Sequence, residues 1–551
     1  NSFREEMPMV APTIFVARKI ITMCPSRPVA THVAVREGRI LGVGAAADMD
    51  RWPGAAVERG FAGKVLMPGF VEGHCHATSG AMWRFCYIGY FDRVGPDGRL
   101  WPGLKSIDAV VARLGAAEAA LADAEAPLFA WGYDPIYLGN RRMVCADLDR
   151  ISLSRPIVIR HSNGHIININ SALLHRAGIS RDTKVSGVVR DDAGEPTGEL
   201  QEMAAKFMAL RHVREESDAA EALHLFGRLA TNAGATTVTD LFNELDDEAV
   251  DTFAAGTARD DCPIRLVPAL NPSALGPEGG VRRLTELVGR NTGRLRFGIV
   301  KLMTDGSIQG FTARLKWPHY HNGHANGLWN MDPAALKGFV EAFHGAGLQI
   351  HIHVNGDEAS EVALDTIEAA LAASPRWDHR HTLQHCQVAP ESQYRRMAAL
   401  GLCANIFANH IFYWGDAHRR ETLGPERASR MDAVGTARRL GVPYAIHSDS
   451  PVTPLGPLFT AWCAVNRRTA EGVVLGEQER IPVADALRAI TIGAAYTLKL
   501  DGEIGSIETG KRADFAVLDD DPLSVAPEAL KDVPVWGTVL GGRIFPAAPA
   551  P

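Results

Sequence analysis

Between about residues 230 and 450 one theme recurs along the chain: an alanine-rich helical stretch, a glycine, then a short β-rich run that ends in polar residues. The runs are Ala235–Asp240, Ile264–Leu270, Arg296–Asp305, Leu348–Asp357, His381–Gln387, Gly401–Ala408 and Pro443–Asp449, and an earlier run, Val65–His76, makes eight. Strands alternating with helices of about ten or more residues build a parallel sheet, and eight such units close into a TIM-like (β/α)8 barrel, so an α/β fold is expected. An open doubly wound sheet is the alternative. It would carry a glycine-rich phosphate turn after its first strand, and Pro68-Gly69-Phe70 is not one.

The two ends read differently. Ile14-Phe-Val-Ala, Ile20-Ile-Thr, Val33-Ala-Val and Ile40-Leu-Gly-Val are short β runs, and Phe515-Ala-Val-Leu, Val535-Trp-Gly-Thr-Val-Leu and Arg543-Ile-Phe resume the pattern near the other end. Neither piece buries a core alone, so the two are expected to pair into one composite β-sandwich. The stretch between the first and second barrel strands greatly exceeds a normal βα loop of about 2 to 6 residues, and as an insertion it is expected to cover the active site. The division expected is 7–66 for the first sandwich part, 67–77 for barrel strand 1, 78–200 for the insertion, 201–498 for the rest of the barrel and 499–551 for the second sandwich part. Asn1–Glu6, ahead of Met7, are set aside as an artificial leader.

A chain of 551 residues with 46% hydrophobic and 22% charged residues is an ordinary globular protein with one large domain and a smaller one. Its net charge of -7 offers no basic footprint for nucleic acid or an anionic membrane. No apolar stretch approaches the about 18 to 20 residues that span a bilayer, and Arg18 and Lys19 interrupt the only apolar run near the start, so no signal peptide is expected. The eight cysteines follow no regular spacing and read as reduced thiols of a cytoplasmic protein. A small-molecule substrate is the expected partner, and a homo-oligomer is the default for an enzyme of this size.

Active sites of such barrels lie at the carboxyl ends of the strands. Strand one ends in His74-Cys-His76, whose i, i+2 spacing on an extended strand turns both imidazoles the same way. Later strand ends supply Lys301, His353, His385 and Asp449. Four imidazoles, a lysine and a carboxylate thus converge in strand order. Neutral imidazoles and a carboxylate suit Zn²⁺, which keeps a position open for water in catalytic sites.

With these motifs in this order, the chain resembles the amidohydrolase superfamily of metal-dependent hydrolases, and within it the amidohydrolase family 3 branch that includes N-substituted formamide deformylases. The resemblance runs over nearly the whole chain and takes in Asp305-Gly-Ser, Gly356-Asp357 and the closing segment Gly505-Ser-Ile-Glu-Thr-Gly-Lys-Arg-Ala-Asp514-Phe-Ala-Val-Leu-Asp. It implies the metal ligands His74, His76, Lys301, His353, His385 and Asp449, with one or two Zn²⁺ or other divalent ions per chain. It also implies that Lys301 is N-carboxylated, since an ammonium of reference pKa about 10.4 has no lone pair to donate. The alternative for Lys301 is a structural pairing with Asp305 or Asp449 and a one-metal site. Three positions depart from the family pattern: Glu72 in place of a usual aspartate, Asn355-Gly356-Asp357-Glu358 in place of a commoner Gly-Asp-Arg version, and Ser450 in place of a frequent tryptophan or alanine. None removes a ligand.

The implied reaction is hydrolysis of a non-peptide C–N bond (EC 3.5) by metal-activated water, with Asp449 accepting the water's proton and delivering it to the leaving nitrogen. The same site serves an ester, lactone or phosphoester equally well in principle, and an inactive assembly protein on this fold is the remaining class. His351 and His447 are read as structural histidines, and Asp305 and Asp357 as residues that fix strand-end loops. In the insertion, His161 and His165 are candidate substrate contacts. Trp83, Trp131, Phe311 and Trp414 are candidate pocket walls, in company with Phe85, Tyr87, Tyr90, Phe91, Tyr133, Trp317, Phe412 and Tyr413, and so many aromatics point to an aromatic or otherwise apolar N-acyl or N-formyl compound.

Overall fold

The computed structural model of the protein describes residues 11–123, 125–213 and 218–549, and Asn1–Glu6 lie outside them. Its centre is a parallel sheet of eight strands taken in chain order: β1 (Phe70–Glu72), β2 (Ala235–Asn243), β3 (Arg265–Leu270), β4 (Ile299–Met303), β5 (Gln349–Val354), β6 (Thr382–His385), β7 (Cys403–Ile406) and β8 (Tyr444–Ile446). Outward-facing Val300, Leu302, Ile350, Ile352, Leu383 and Ile406 pack against helix residues such as Phe226, Phe253, Phe343 and Leu364. The alternation of a strand then turns Lys301, His351, His353, Gln384 and Asn405 to the inside. Val71, Leu241, Val267, Ile299 and Ala445 form an apolar plug with Ala494, Ala495 and Leu498 from the region of helix Ile492–Thr497. The interior is therefore stoppered at its base, and the polar side chains gather at the strand ends.

The two edges of the sheet meet without a β ladder among the described residues. Glu72 of β1 accepts hydrogen bonds from Ser448 N (3.1 Å) and Ser448 Oγ (2.9 Å) beyond β8, and Ser450 O accepts from His76 N (2.9 Å). Burial raises the Glu72 carboxyl to about 8 against the pull of these bonds. Glu72, one of the departures from the family pattern, thus fastens the seam.

Val65–His76 divides where a single strand was expected. Val65–Pro68 lies in a separate sheet, antiparallel to Phe515–Leu518 and parallel to Thr13–Ile21, and only Phe70–Glu72 joins the barrel. Gly69 is the crossing point, because a Cβ there would lie 2.0 Å from Thr236 Oγ1. The boundary after residue 66 accordingly shifts to the Pro68-Gly69 step. Both ends of the chain contribute to that second sheet, a single sheet of eight strands built on Phe15, Val33, Phe61, Leu66, Phe515 and Val539. The insertion carries a six-stranded sheet of its own, in the order Val188–Arg190, Pro196–Gln201, Ile166–Ile169, Ile157–His161, Leu128–Tyr133 and Cys86–Tyr87.

A buried ion pair joins the barrel to the terminal sheet. Arg265 of β3 reaches Asp514 Oδ2 (2.6 Å), Thr237 Oγ1 (3.0 Å) and Gly293 O (2.9 Å), while Asp514 Oδ1 accepts from Gly541 N (2.8 Å). Removing one member of such a pair strands the other charge, so Arg265→Met is expected to cost about 3 to 5 kcal/mol. Chemical denaturation measures this, and an unmoved midpoint would contradict it. No helix among the described residues is long and apolar enough to cross a membrane, and all eight cysteines are unpaired.

Candidate metal centre

The His74-x-His76 pair leaves the end of β1 with both rings directed at Asp449. His74 Nε2 lies 3.4 Å and His76 Nε2 3.2 Å from Asp449 Oδ1. His385, at the end of β6, places Nδ1 3.8 Å from Asp449 Oδ2, and its ring centroid is 4.5 Å from that of His74 and 4.6 Å from that of His353. Lys301 Nζ, buried, is 3.5 Å from His74 Nε2. All six residues singled out from strand ends come together.

Hydrogen bonds behind the cluster fix which ring nitrogens face it. Gln384 donates to His351 Nδ1 (2.7 Å), so its Oε1 accepts from Asn405 Nδ2 (2.9 Å) and from His74 Nδ1 (2.7 Å). His74 is thereby assigned as the Nδ1–H tautomer, with the Nε2 lone pair directed at the cluster. His351, its remaining nitrogen 3.2 Å from Thr497 O, is satisfied within the wall. His353 donates from Nε2 to Gly306 O (3.1 Å), which leaves Nδ1 as its lone-pair nitrogen. Asp305 accepts from the backbone N–H groups of Gly356 (2.8 Å), Arg314 (3.0 Å) and Asn355 (3.1 Å), and Asp357 accepts from Lys316 N (2.9 Å), so both hold strand-end loops in place.

Burial holds the imidazoles of His74, His353 and His385 well below their ordinary range, so all three are neutral donors. Burial also lowers the Lys301 amine to about 7, against the attraction of Asp449. For Asp449, burial opposes ionisation, but the imidazoles of His74, His76 and His447 outweigh it and keep the carboxyl well below the usual carboxylate range. Neither His385 Nδ1 nor Asp449 Oδ1, both buried, has a partner of hydrogen-bonding geometry among the described residues. Converging N and O donors without protein partners among the described residues fit a divalent ion of the zinc type. His385 (φ 70°) and Asp449 (φ 52°) hold left-handed backbone conformations, a cost that the surrounding structure has to sustain and that tends to cluster at functional sites.

The cluster forms the floor of a cavity of about 500 Å³ roofed by the insertion. Trp131, His161 and His165 line it, as expected for candidate substrate contacts. Trp83, Phe311 and Trp414 do not, and this corrects the sequence expectation. Trp83 backs Trp131 edge-on at 5.2 Å, Phe311 packs with Tyr320 in a separate apolar cluster, and buried Trp414 donates from Nε1 to Asp134 Oδ2 (2.8 Å). Tyr90, Phe91, Phe412 and Tyr413 likewise pack against one another where the insertion meets the barrel loops, and Trp317 is 85% exposed. Composition alone does not separate such lid packing from pocket walls. Beside Trp131 and Phe242, the apolar lining is aliphatic, with Met82, Met203, Met303, Leu210 and Ile166 among it.

The lid contributes two groups that sequence reading missed. Glu202 (φ 61°) accepts from His165 Nδ1 (2.8 Å) and Asn330 Nδ2 (2.7 Å), and although burial opposes ionisation, His165 and its hydrogen bonds bring the carboxyl to about 2. Lys206 lines the cavity and donates to Gly164 O. Nothing in their spacing marks either residue. His161 is held through Nε2 by Asn168, and its Nδ1 has no partner among the described residues.

Residues 62–546 match a family model described as the amidohydrolase family. The chain belongs to the amidohydrolase family. Among relatives of this amidohydrolase-family protein, Protein LONG AFTER FAR-RED 3 of Arabidopsis thaliana is 30% identical over 97% of this chain and 91% of its own length. An N-substituted formamide deformylase of Arthrobacter pascens is 27% identical over 72% of this chain and 74% of its own. Among solved structures, an uncharacterized metal-dependent hydrolase from Pyrococcus horikoshii OT3 superposes with a TM-score of 0.71 at 22% identity, covering 94% of this chain and 99% of that one, and so shares the fold.

Proposed function

We propose that this amidohydrolase-family protein hydrolyses a non-peptide C–N bond, of amide, N-formyl or N-acyl type, in a small molecule with an apolar body. The observation that carries the reading is Asp449, an ionised carboxylate held between His74 and His76 on the floor of a cavity that also offers an apolar wall of Met82, Met203, Met303, Ile166 and Trp131. The formamide deformylase relative supports the choice of bond. His74, His76 and Asp449 would hold one ion, and His353 and His385 a second, with Lys301 shared between the two if its amine carries a carboxylate. A bound divalent ion supplies Lewis acidity toward the substrate carbonyl and lowers the pKa of water.

The chain's own groups do the rest. Asp449 takes the proton of the attacking water as its oxygen bonds to the carbonyl carbon, then delivers that proton to the nitrogen as the C–N bond breaks, giving an acid and an amine. His165, oriented by Glu202 through Nδ1, turns its other ring nitrogen to the substrate. Trp131 and the methionines exclude bulk water from the apolar body. A panel of matched N-formyl, N-acyl, ester and phosphoester compounds tests this reading. Turnover of the amides at least about tenfold above the esters is expected, and turnover confined to esters or phosphoesters would overturn it.

A further inference from the structure

We propose that a second cavity, beside the catalytic one, binds a small carboxylate with an apolar body through the guanidinium of Arg93. The inference does not depend on the metal reading above. The cavity measures about 400 Å³ and lies where the insertion, the barrel and the C-terminal part of the chain meet, the kind of junction at which small-molecule sites form. It has an apolar wall of Leu229 from helix Ala219–Asn232, Leu458 and Phe459 from helix Pro457–Asn466, and Val533 and Val535 near the C-terminal end. Trp83 lines this cavity and meets Trp131, which lines the catalytic one, edge-on at 5.2 Å, and Pro451 borders both.

Three charged residues line the cavity: Asp92, Arg93 and Lys531. Asp92 is exposed and accepts from Gly103 N (2.8 Å), and Lys531, also exposed, is paired with Asp532 (2.7 Å). Arg93 differs from both, being only 6% exposed and having no carboxylate within ion-pairing distance among the described residues. Other buried guanidinium groups of this fold are compensated. Arg265 faces Asp514 (2.6 Å), Arg155 faces Glu118 (3.0 Å), and Arg467 directs its N–H groups at the carbonyls of Met431, Asp432 and Leu475. Arg93 donates from Nη2 to Val452 O (2.9 Å) and bonds to the Tyr87 phenol, which engages two of the five N–H groups a guanidinium carries. The rings of Tyr87 and Trp131, with centroids 5.9 and 5.5 Å from Arg93 Cζ, shield the charge from water without neutralising it. A buried charge in a native protein normally has a counter-charge, and a carboxylate supplies one that matches the planar fork of the guanidinium. The apolar wall takes the body of the same molecule.

The test is calorimetric titration of the full-length protein with straight-chain carboxylates from butyrate to octanoate and with the alcohols of the same lengths. The carboxylates are expected to bind at least about tenfold more tightly than the matched alcohols. Arg93→Met is expected to weaken the tightest carboxylate by at least about tenfold, since it removes the charged donor. Val535→Trp fills the cavity from its apolar wall and leaves the guanidinium in place; the same loss is expected there, and this variant decides the matter if Arg93→Met fails to fold. A carboxylate whose affinity is unchanged in a folded variant binds elsewhere, the catalytic cavity included, and overturns the inference. Carboxylates that bind no better than the alcohols, or not at all, overturn it as well.

Discussion

Asp449→Asn is expected to fold, to keep most of its metal and to lose turnover by about 10²- to 10⁴-fold, the range that a positioned acid–base group contributes. The carboxamide is nearly isosteric and retains an oxygen for the position now 3.2 Å from His76 Nε2 and 3.4 Å from His74 Nε2. What it loses is basicity. An amide oxygen cannot take the water's proton, and no other described carboxylate lies as close to His74 and His76, since Glu72 is committed to Ser448 and Asp305 to three backbone N–H groups. The comparison is kcat on the best substrate of the panel at equal metal loading. A kcat near the wild-type value would remove Asp449 from the role of proton carrier.

Lys301→Ala is expected to lower metal content from about two ions per chain to one and to reduce kcat by at least about 10²-fold, because a two-metal site clamps both the attacking and the leaving atoms. Burial brings the amine to about 7, so near neutral pH a large share of it is the uncharged form that attacks CO₂. Attack on CO₂ would form an Nζ–C bond, release one proton to solvent and turn the neutral amine into an anionic carbamate with two oxygen donors. No ion pair to Asp305 or Asp449 holds Lys301 among the described residues; its near neighbour is His74 Nε2, at 3.5 Å. That placement favours the carboxylated reading over a structural lysine. Elemental analysis of wild type and variant, each prepared with and without bicarbonate, measures the change. Equal metal content throughout would make Lys301 structural and the centre mononuclear.

The residues whose convergence was legible in the sequence are those placed by strand alternation and strand order. His74 and His76 were found from i, i+2 spacing, and Lys301, His353, His385 and Asp449 from their places at successive strand ends, because a parallel barrel converts chain order into convergence. The lid was less legible. Trp83, Phe311 and Trp414 have the composition of pocket walls, yet Trp414 is tied to Asp134 and Phe311 to Tyr320, contacts between segments distant in sequence that no local pattern encodes. Glu202 acts through His165, 37 residues away, and Asn330, 128 residues away, so its part in orienting the site arises only when the insertion folds onto the barrel. The division at Gly69 was hidden for a similar reason: a continuous β-rich run does not reveal that Asp514 O takes the Gly69 N–H (2.9 Å) and draws Val65–Pro68 into another sheet.

The most direct test of a metal-dependent C–N hydrolase is the metal content of the wild-type chain purified without chelator, measured alongside amide hydrolysis as the metal is stripped and restored. The account predicts about two divalent ions per chain, with activity lost on chelation and recovered on adding zinc. A chain that carries no metal, or one whose amide hydrolysis survives complete removal of metal, would contradict it.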